Sequence, residues 1–154
     1  MAIEHVNIAD GERHEPKGAS TATIDQVYAS NGAGSGAWRE LPVASTVIMA
    51  DVSAPSFEII PIPFNATIQS IRFVLHGAIT LADSTITVTR GAAADAMGTQ
   101  VIAFTGSGEG VTFDFTPSGN ASITASTHKY IKVASNGNST TTARMSITVK
   151  YKAV

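Results

Sequence analysis

Apolar and polar side chains alternate along most of the chain after residue 42. In residues 85–89 two aliphatic side chains alternate with three threonines, and in residues 145–151 four apolar side chains alternate with polar ones. A period of two is typical of a β-strand with one buried face. The pattern predicts eight strands, at residues 46–52, 56–60, 67–76, 85–89, 101–104, 111–115, 129–133 and 143–151.

Turn residues separate the predicted strands. Residues 117–120 and 135–138 combine Ser, Gly and Asn, which suit turns that need a positive φ. Pro61 and Pro63 follow the second strand and favour an edge position for it, because proline cannot donate a hydrogen bond to a neighbouring strand. Short strands spaced about 8–12 residues apart are typical of an all-β sandwich or barrel.

We therefore predict an all-β fold, an antiparallel jelly-roll-like β-sandwich at residues 43–154 preceded by an extended N-terminal arm at residues 1–42. Eight antiparallel strands with one solvated face form a jelly roll most economically. An immunoglobulin-like sandwich is the alternative. That fold usually buries a tryptophan in mid-domain, whereas the only tryptophan, Trp38, lies in the arm.

The arm has neither a helical nor a strand period, so it is not predicted to form a core. Pro16 and Gly18 break regular structure, and three glycines between residues 32 and 36 form a flexible spacer. The arm nevertheless carries Tyr28 and Trp38, which are suited to anchor it on another protein. We expect an attachment segment that is largely mobile until it docks.

Composition narrows the classes of function. The length of 154 residues suits one domain with a real core. The net charge is −2 and no cluster of basic residues occurs, so we expect no nucleic-acid partner. No apolar run is long enough to span a bilayer, and no signal peptide is recognisable, so we expect no membrane partner. The absence of cysteine excludes disulfides and fits assembly in a reducing cytoplasm.

Residue types that could bind a metal occur near the N-terminus. His5 and His14 could combine with Glu4, Glu12 or Glu15. The spacing is not one that zinc sites use, and the D-x-D-x-D-G spacing of a calcium loop is missing as well. We expect no metal and no cofactor.

The sequence contains the residue types of a Ser-His-Asp triad, with His76 or His128 as the histidine. No G-x-S-x-G elbow accompanies them, and the glycine-rich stretch at residues 32–36 lacks the Lys-Ser/Thr ending and following helix of a phosphate loop. We expect no catalytic residues and no enzyme activity. Tyr130 and Tyr151, at outer or edge positions, could stack on a sugar, although such aromatics more often fill sheet faces or subunit contacts.

The arm resembles the attachment segments of structural proteins from tailed-bacteriophage virions, including capsid decoration proteins, head-fibre proteins and some tail-fibre modules. The resemblance covers roughly a quarter of the chain and lies in the order H-E-P-K-G, then V-Y, then G-A-G-S-G-A-W. It implies that eight residues bind the partner: His14, Glu15, Pro16, Lys17, Gly18, Val27, Tyr28 and Trp38.

The resemblance implies a structural virion protein that decorates and stabilises a bacteriophage capsid. Its partner would be the major capsid protein or another virion protein. The implied location is the outer surface of the capsid, after synthesis in the host cytoplasm. Local three-fold sites of a capsid lattice favour a homotrimer. The alternative is a receptor- or carbohydrate-binding module of a fibre or spike, whose partner would be a surface glycan.

Overall fold

The structure is a computed structural model and describes residues 26–30, 36–40, 43–92 and 94–154. The chain consists of two compact units, Met1–Leu41 and Pro42–Val154, and we call the second unit the body. All regular elements of the described residues are β-strands. No helix in this part of the chain is long and apolar enough to cross a membrane.

The described part of the first unit contains a hairpin of two strands, β1 (Gln26–Ser30) and β2 (Gly36–Glu40). In the body the structure describes nine further strands, namely β3 (Val43–Met49), β4 (Ser56–Pro61), β5 (Ala66–Leu75), β6 (Ser84–Arg90), β7 (Asp95–Ile102), β8 (Thr112–Phe115), β9 (Ser122–Ile123), β10 (Tyr130–Ser135) and β11 (Met145–Ala153).

Eight strands of the body pair as one long hairpin folded over on itself. β3 pairs with β11, β4 with β10, β5 with β8 and β6 with β7, all antiparallel. Two further pairings complete the sheets β3-β11-β5-β8 and β4-β10-β6-β7, and β9 adds to the end of β5. Nested pairing in two sheets is the order of a jelly roll, and it differs from the order of an immunoglobulin sandwich. The predicted all-β jelly-roll-like sandwich is confirmed.

The core lies where the period-two pattern places it. Strand β11 buries Met145 and every second residue after it as far as Tyr151, while Lys150 on the opposite face is exposed. Phe73 on β5 is the largest by volume of the fully buried side chains among the described residues. β4 is an edge strand of its sheet, as the proline at its end, Pro61, predicts.

Strand β7 differs most from its predicted extent. The pattern predicts residues 101–104, whereas the strand is Asp95–Ile102. The register to β6 shifts so that Met97 is the extra residue of a bulge. Gly98, the next residue, has a φ of 138°, and a Cβ there would lie 3.0 Å from the Phe115 ring. The bulge interrupts the alternation, which explains why the pattern misses the first part of this strand.

Candidate functional site

Two of the predicted anchors, Tyr28 and Trp38, form a pair on the β1–β2 hairpin. The antiparallel register places them directly opposite each other. Their ring centroids are 5.4 Å apart and their planes meet at 68°, which is an edge-to-face contact. Such a contact contributes about 0.5–1.5 kcal/mol beyond the burial of the rings. Both side chains are half-buried, whereas Val27, the neighbour of Tyr28, is 39% exposed.

The hairpin differs from the extended, aperiodic arm that we predict from the sequence. Residues 26–30 and 36–40 pair along their whole length. Gly36, which the glycine pattern assigns to a flexible spacer, is the first residue of β2. Five residues, 31–35, separate the two strands, and two of them are glycines. A connection of this length that contains glycine is typical of a hairpin with a longer loop, and it is the signal that could have predicted the pairing.

The other predicted partner-binding residues are His14, Glu15, Pro16, Lys17 and Gly18, and they lie outside the described residues. Their role in attachment stays a prediction. The same holds for the candidate metal ligands near the N-terminus. Among the residues that the structure describes, no group of three or more His, Asp or Glu side chains could hold a metal ion.

The histidines of the body lie in two separate contacts. His76 Nε2 is 2.6 Å from Ser146 Oγ on an exposed sheet face. His128 Nδ1 accepts a hydrogen bond of 2.9 Å from the backbone N–H of Thr124, and its Nε2 lies 3.9 Å from the Asp95 carboxylate. One histidine therefore meets a serine and the other an aspartate, and these contacts do not join into a triad.

Two aspartates hold neighbouring loops together. Asp51 Oδ1 accepts hydrogen bonds from the Ser53 hydroxyl at 2.6 Å, the Ser53 N–H at 2.9 Å and the Ala143 N–H at 3.3 Å. Burial alone would raise the pKa of Asp51, but these hydrogen bonds lower it more, so the pKa lies below its usual value. Asp83 accepts a hydrogen bond of 2.9 Å from the Phe104 N–H. Both carboxylates therefore serve the architecture of the loops.

An open depression of 430 Å³ lies on the outer face of the β3-β11-β5-β8 sheet, and it is lined by Ala44, Ser70, Arg72, Asp114, Thr148 and Lys150. Arg72 donates two hydrogen bonds, of 2.7 and 2.9 Å, to Asp114. This contact lowers the pKa of Asp114 and raises the pKa of Arg72. Both side chains are more than half exposed, so solvent screens the pair and it adds little stability.

The structure shows where the two tyrosines suggested for stacking on a sugar, Tyr151 and Tyr130, lie. Tyr151 is only 4% exposed, and its hydroxyl lies 3.0 Å from Ser45 Oγ. Its suggested outer or edge position is wrong, because its side of β11 faces the core. Tyr130 is half-buried. Phe57 on β4 and Phe104 in the loop after β7 are 55% and 42% exposed.

No protein-family model matches this chain, and no curated protein sequence matches it. Among solved structures the chain is similar to the capsid asymmetric unit of cyanophage Pam1, with 14% identity over 72% of this chain and 82% of that chain and a TM-score of 0.47. The Tobacco streak virus coat protein has 11% identity, coverages of 73% and 85% and a TM-score of 0.37. A disulfide-linked pilus of Bacillus endospore appendages has 16% identity, coverages of 73% and 89% and a TM-score of 0.35.

Two of these three neighbours are viral capsid structures. Their identities and TM-scores are low, so the assignment of the jelly roll rests on the strand order of this chain and not on the likenesses.

Proposed function

We propose that this protein is a structural protein of a tailed-phage virion, which decorates the capsid and stabilises it. It binds the major capsid protein, or another virion protein, through its N-terminal unit. The observation that carries the proposal is the aromatic hairpin, which lies in a compact unit distinct from the jelly-roll body. The resemblance of residues 14–38 to phage attachment segments supports it. The protein is then made in the host cytoplasm and lies on the outer surface of the particle.

The hairpin suits attachment because its aromatic side chains are already ordered by each other. Tyr28 and Trp38 are residue types that carry much of the binding energy in protein interfaces. Rings held in place before binding lose less conformational entropy when they dock. In this proposal Val27 contributes further apolar contact, and Glu15 and Lys17 set the register on the partner by charge pairing.

Three copies around a local three-fold site of the lattice complete the proposal. A homotrimer presents three hairpins at once, so its attachment gains from avidity. Light scattering on the purified protein should give a mass that is a multiple of three chains. A monomer at every concentration would contradict this part of the proposal.

Attachment is tested with Trp38→Ala on particles that lack this protein. Loss of a tryptophan anchor typically costs about 2 kcal/mol or more, roughly a thirtyfold loss of affinity per site. Phe57→Ala is the matched control, because it removes an exposed aromatic side chain of the body. We expect low occupancy with Trp38→Ala and normal occupancy with Phe57→Ala. Normal occupancy with both variants would place attachment outside the hairpin.

A second candidate function is a receptor- or glycan-binding module of a fibre or spike. It is favoured by the exposure of Leu81 and Phe104, 73% and 42%, in two loops that Asp83 joins. Phe104→Ala would then abolish binding to host cells or to a glycan array, while Trp38→Ala would not change it. Equal binding by wild type and Phe104→Ala would count against this alternative.

A further inference from the structure

The described part of the body has four sheet edges, formed by β3 and by β8 with the two-residue β9 in one sheet, and by β4 and β7 in the other. An edge presents unpaired N–H and C=O groups, which proteins protect by charge, proline, a bulge or short length. Three of the four edges have such protection. β4 carries Glu58 and ends at Pro61, β7 has the bulge at Met97, and β8 has only four residues, one of them Asp114.

Strand β3 has none of these protections. Its seven residues, VASTVIM, include no charge, no proline and no glycine. It pairs with β11 in unbroken register from Val43 to Met49 and has no second hydrogen-bonded neighbour among the described strands. Ile48, which points outward from the sheet, is 47% exposed. A regular, uncharged edge of this length is a ready template for another strand.

We propose that β3 pairs with β3 of a second copy of this chain, antiparallel about a two-fold axis at Thr46. In this register Thr46 lies opposite the second copy's Thr46, and Ala44 lies opposite the second copy's Ile48. Small side chains thus face large ones, and the threonine pair continues the row in which Thr46 Oγ1 is already 3.0 Å from Thr148 Oγ1. Cross-strand threonine pairs of this kind stabilise sheets.

The charges around β3 permit this pairing. The basic residue beside the strand on this face is Lys150, which lies opposite Ala44 in the register. Ideal strand spacings place the lysines of the two copies roughly 20 Å apart across the axis. This separation exceeds a Debye length of about 8 Å at physiological salt, so their repulsion is screened. The uncharged strand itself adds no repulsion. Its own side chains complement each other in this register, because Ala44 lies opposite Ile48 and Thr46 opposite Thr46, and this self-complementarity is the reason to choose a second copy as the occupant.

The contact is two-fold and isologous, so it joins the chains in pairs, whatever other contacts the chain makes. It goes beyond the capsid proposal and does not depend on it. If the three-fold contact proposed above also forms, the β3 pair links neighbouring trimers. If it does not, the β3 pair alone makes a dimer.

The first test compares the mass of wild type and Thr46→Lys by light scattering over a concentration series. Two lysines facing each other across the axis should prevent pairing, so wild type should have at least twice the mass of Thr46→Lys. The matched control is Thr112→Lys, which adds the same charge to the same outer face at the opposite edge, on β8. It should keep the wild-type mass. Ile48→Lys serves as the second variant if Thr46→Lys does not fold. Equal masses for wild type and a folded β3 lysine variant would overturn the proposal.

The second test fixes the register by cross-linking, which is straightforward because the chain has no cysteine. In an antiparallel pair directly opposite Cα atoms are about 4.5–5.5 Å apart, within the range that a disulfide spans. Thr46→Cys should therefore give a disulfide-linked dimer on mild oxidation. Ile48→Cys should not, because the two Cα atoms would lie about 14 Å apart. Cross-linking of neither variant, or of both equally, would overturn the pairing. No particle is used, so failure here is distinct from failure of the attachment test.

Discussion

At the scale of single residues, two buried serines of the body have opposite surroundings. Ser84 is fully buried, and its hydroxyl has no hydrogen-bond partner among the described residues. Ser135 is also buried, but its hydroxyl donates a 2.6 Å hydrogen bond to the Val52 carbonyl and accepts one from the Gly137 N–H. A buried polar group without a partner destabilises the fold, whereas one that is fully bonded does not.

We therefore expect the same substitution to have opposite effects at the two positions. Ser84→Ala should raise the free energy of unfolding by about 1 kcal/mol, because it removes an unpaired hydroxyl. Ser135→Ala should lower it by about 1–3 kcal/mol, because the groups that it bonds lose their partner. Urea unfolding measures both values. A stability loss in Ser84→Ala comparable to that in Ser135→Ala would contradict the expectation.

The carboxylate of Asp51 gives the body an acid-sensitive contact. Because its pKa is lowered in the fold, the ionised form contributes stability that is present above the unfolded pKa of about 4 and is lost as the pH falls through the folded pKa. Asp51→Asn should cost about 1 kcal/mol at neutral pH, since charge-assisted hydrogen bonds become neutral ones. The difference between wild type and Asp51→Asn should shrink below about pH 4. A difference independent of pH would contradict this role.

At the scale of elements, the loops between β3 and β4 and between β10 and β11 interlock. Gly137 has a φ of 69°, and a Cβ there would overlap the backbone of Ala54 and Pro55. The hydrogen bond from Ser135, the last residue of β10, to the Val52 carbonyl joins the end of that strand to the loop between β3 and β4. Gly106 also has a positive φ, of 78°, but open space surrounds its Cβ position. A comparison of the two positions therefore distinguishes the cost of a positive φ from the cost of steric overlap.

Alanine at these glycines should destabilise the body to different degrees. Gly106→Ala should cost about 1–2 kcal/mol, the penalty of a left-handed conformation. Gly137→Ala should cost clearly more, because the loop of Ala54 and Pro55 must also move away. Thermal unfolding of the two variants beside wild type measures the difference. Equal losses would show that the loops do not pack as closely as the structure places them.

At the scale of the whole molecule, the aromatic hairpin and the jelly-roll body belong to different compact units. The body is held by its own core, of which Phe73 is a fully buried member. Trp38 pairs with Tyr28 within the hairpin and is part of no body strand.

Phe73→Ala should therefore lower the free energy of unfolding of the body by about 3–5 kcal/mol, through lost burial and the cavity it leaves. Trp38→Ala should change it by less than about 0.5 kcal/mol. Far-UV circular dichroism, which strands should dominate, follows the unfolding of both variants. A large loss of body stability in Trp38→Ala would mean that the hairpin supports the body.

Individual strands show how much of the fold the sequence pattern predicts. The alternation in residues 85–89 and 145–151 correctly predicts the buried faces of β6 and β11. The same criterion misses the first six residues of β7, because a bulge at Met97 breaks the period. It also misses the two-residue β9, which contains too few positions to define a period. It misses β1 and β2 because their apolar residues are adjacent and do not alternate, as in Val27-Tyr28-Ala29 and Ala37-Trp38.

The sequence by itself determined that the body is an all-β sandwich. Successive side chains of a strand point to opposite faces, so the buried face is visible locally as an apolar residue at every second position. Tertiary structure decided which strands are neighbours and which are edges. Met49 pairs with Met145 across most of the body, and no local pattern encodes such a partner. Whether a strand lies at an edge depends on pairing between residues far apart in the sequence. Only the strand order of the folded sheets therefore shows that β3 is an edge and that it lacks protection.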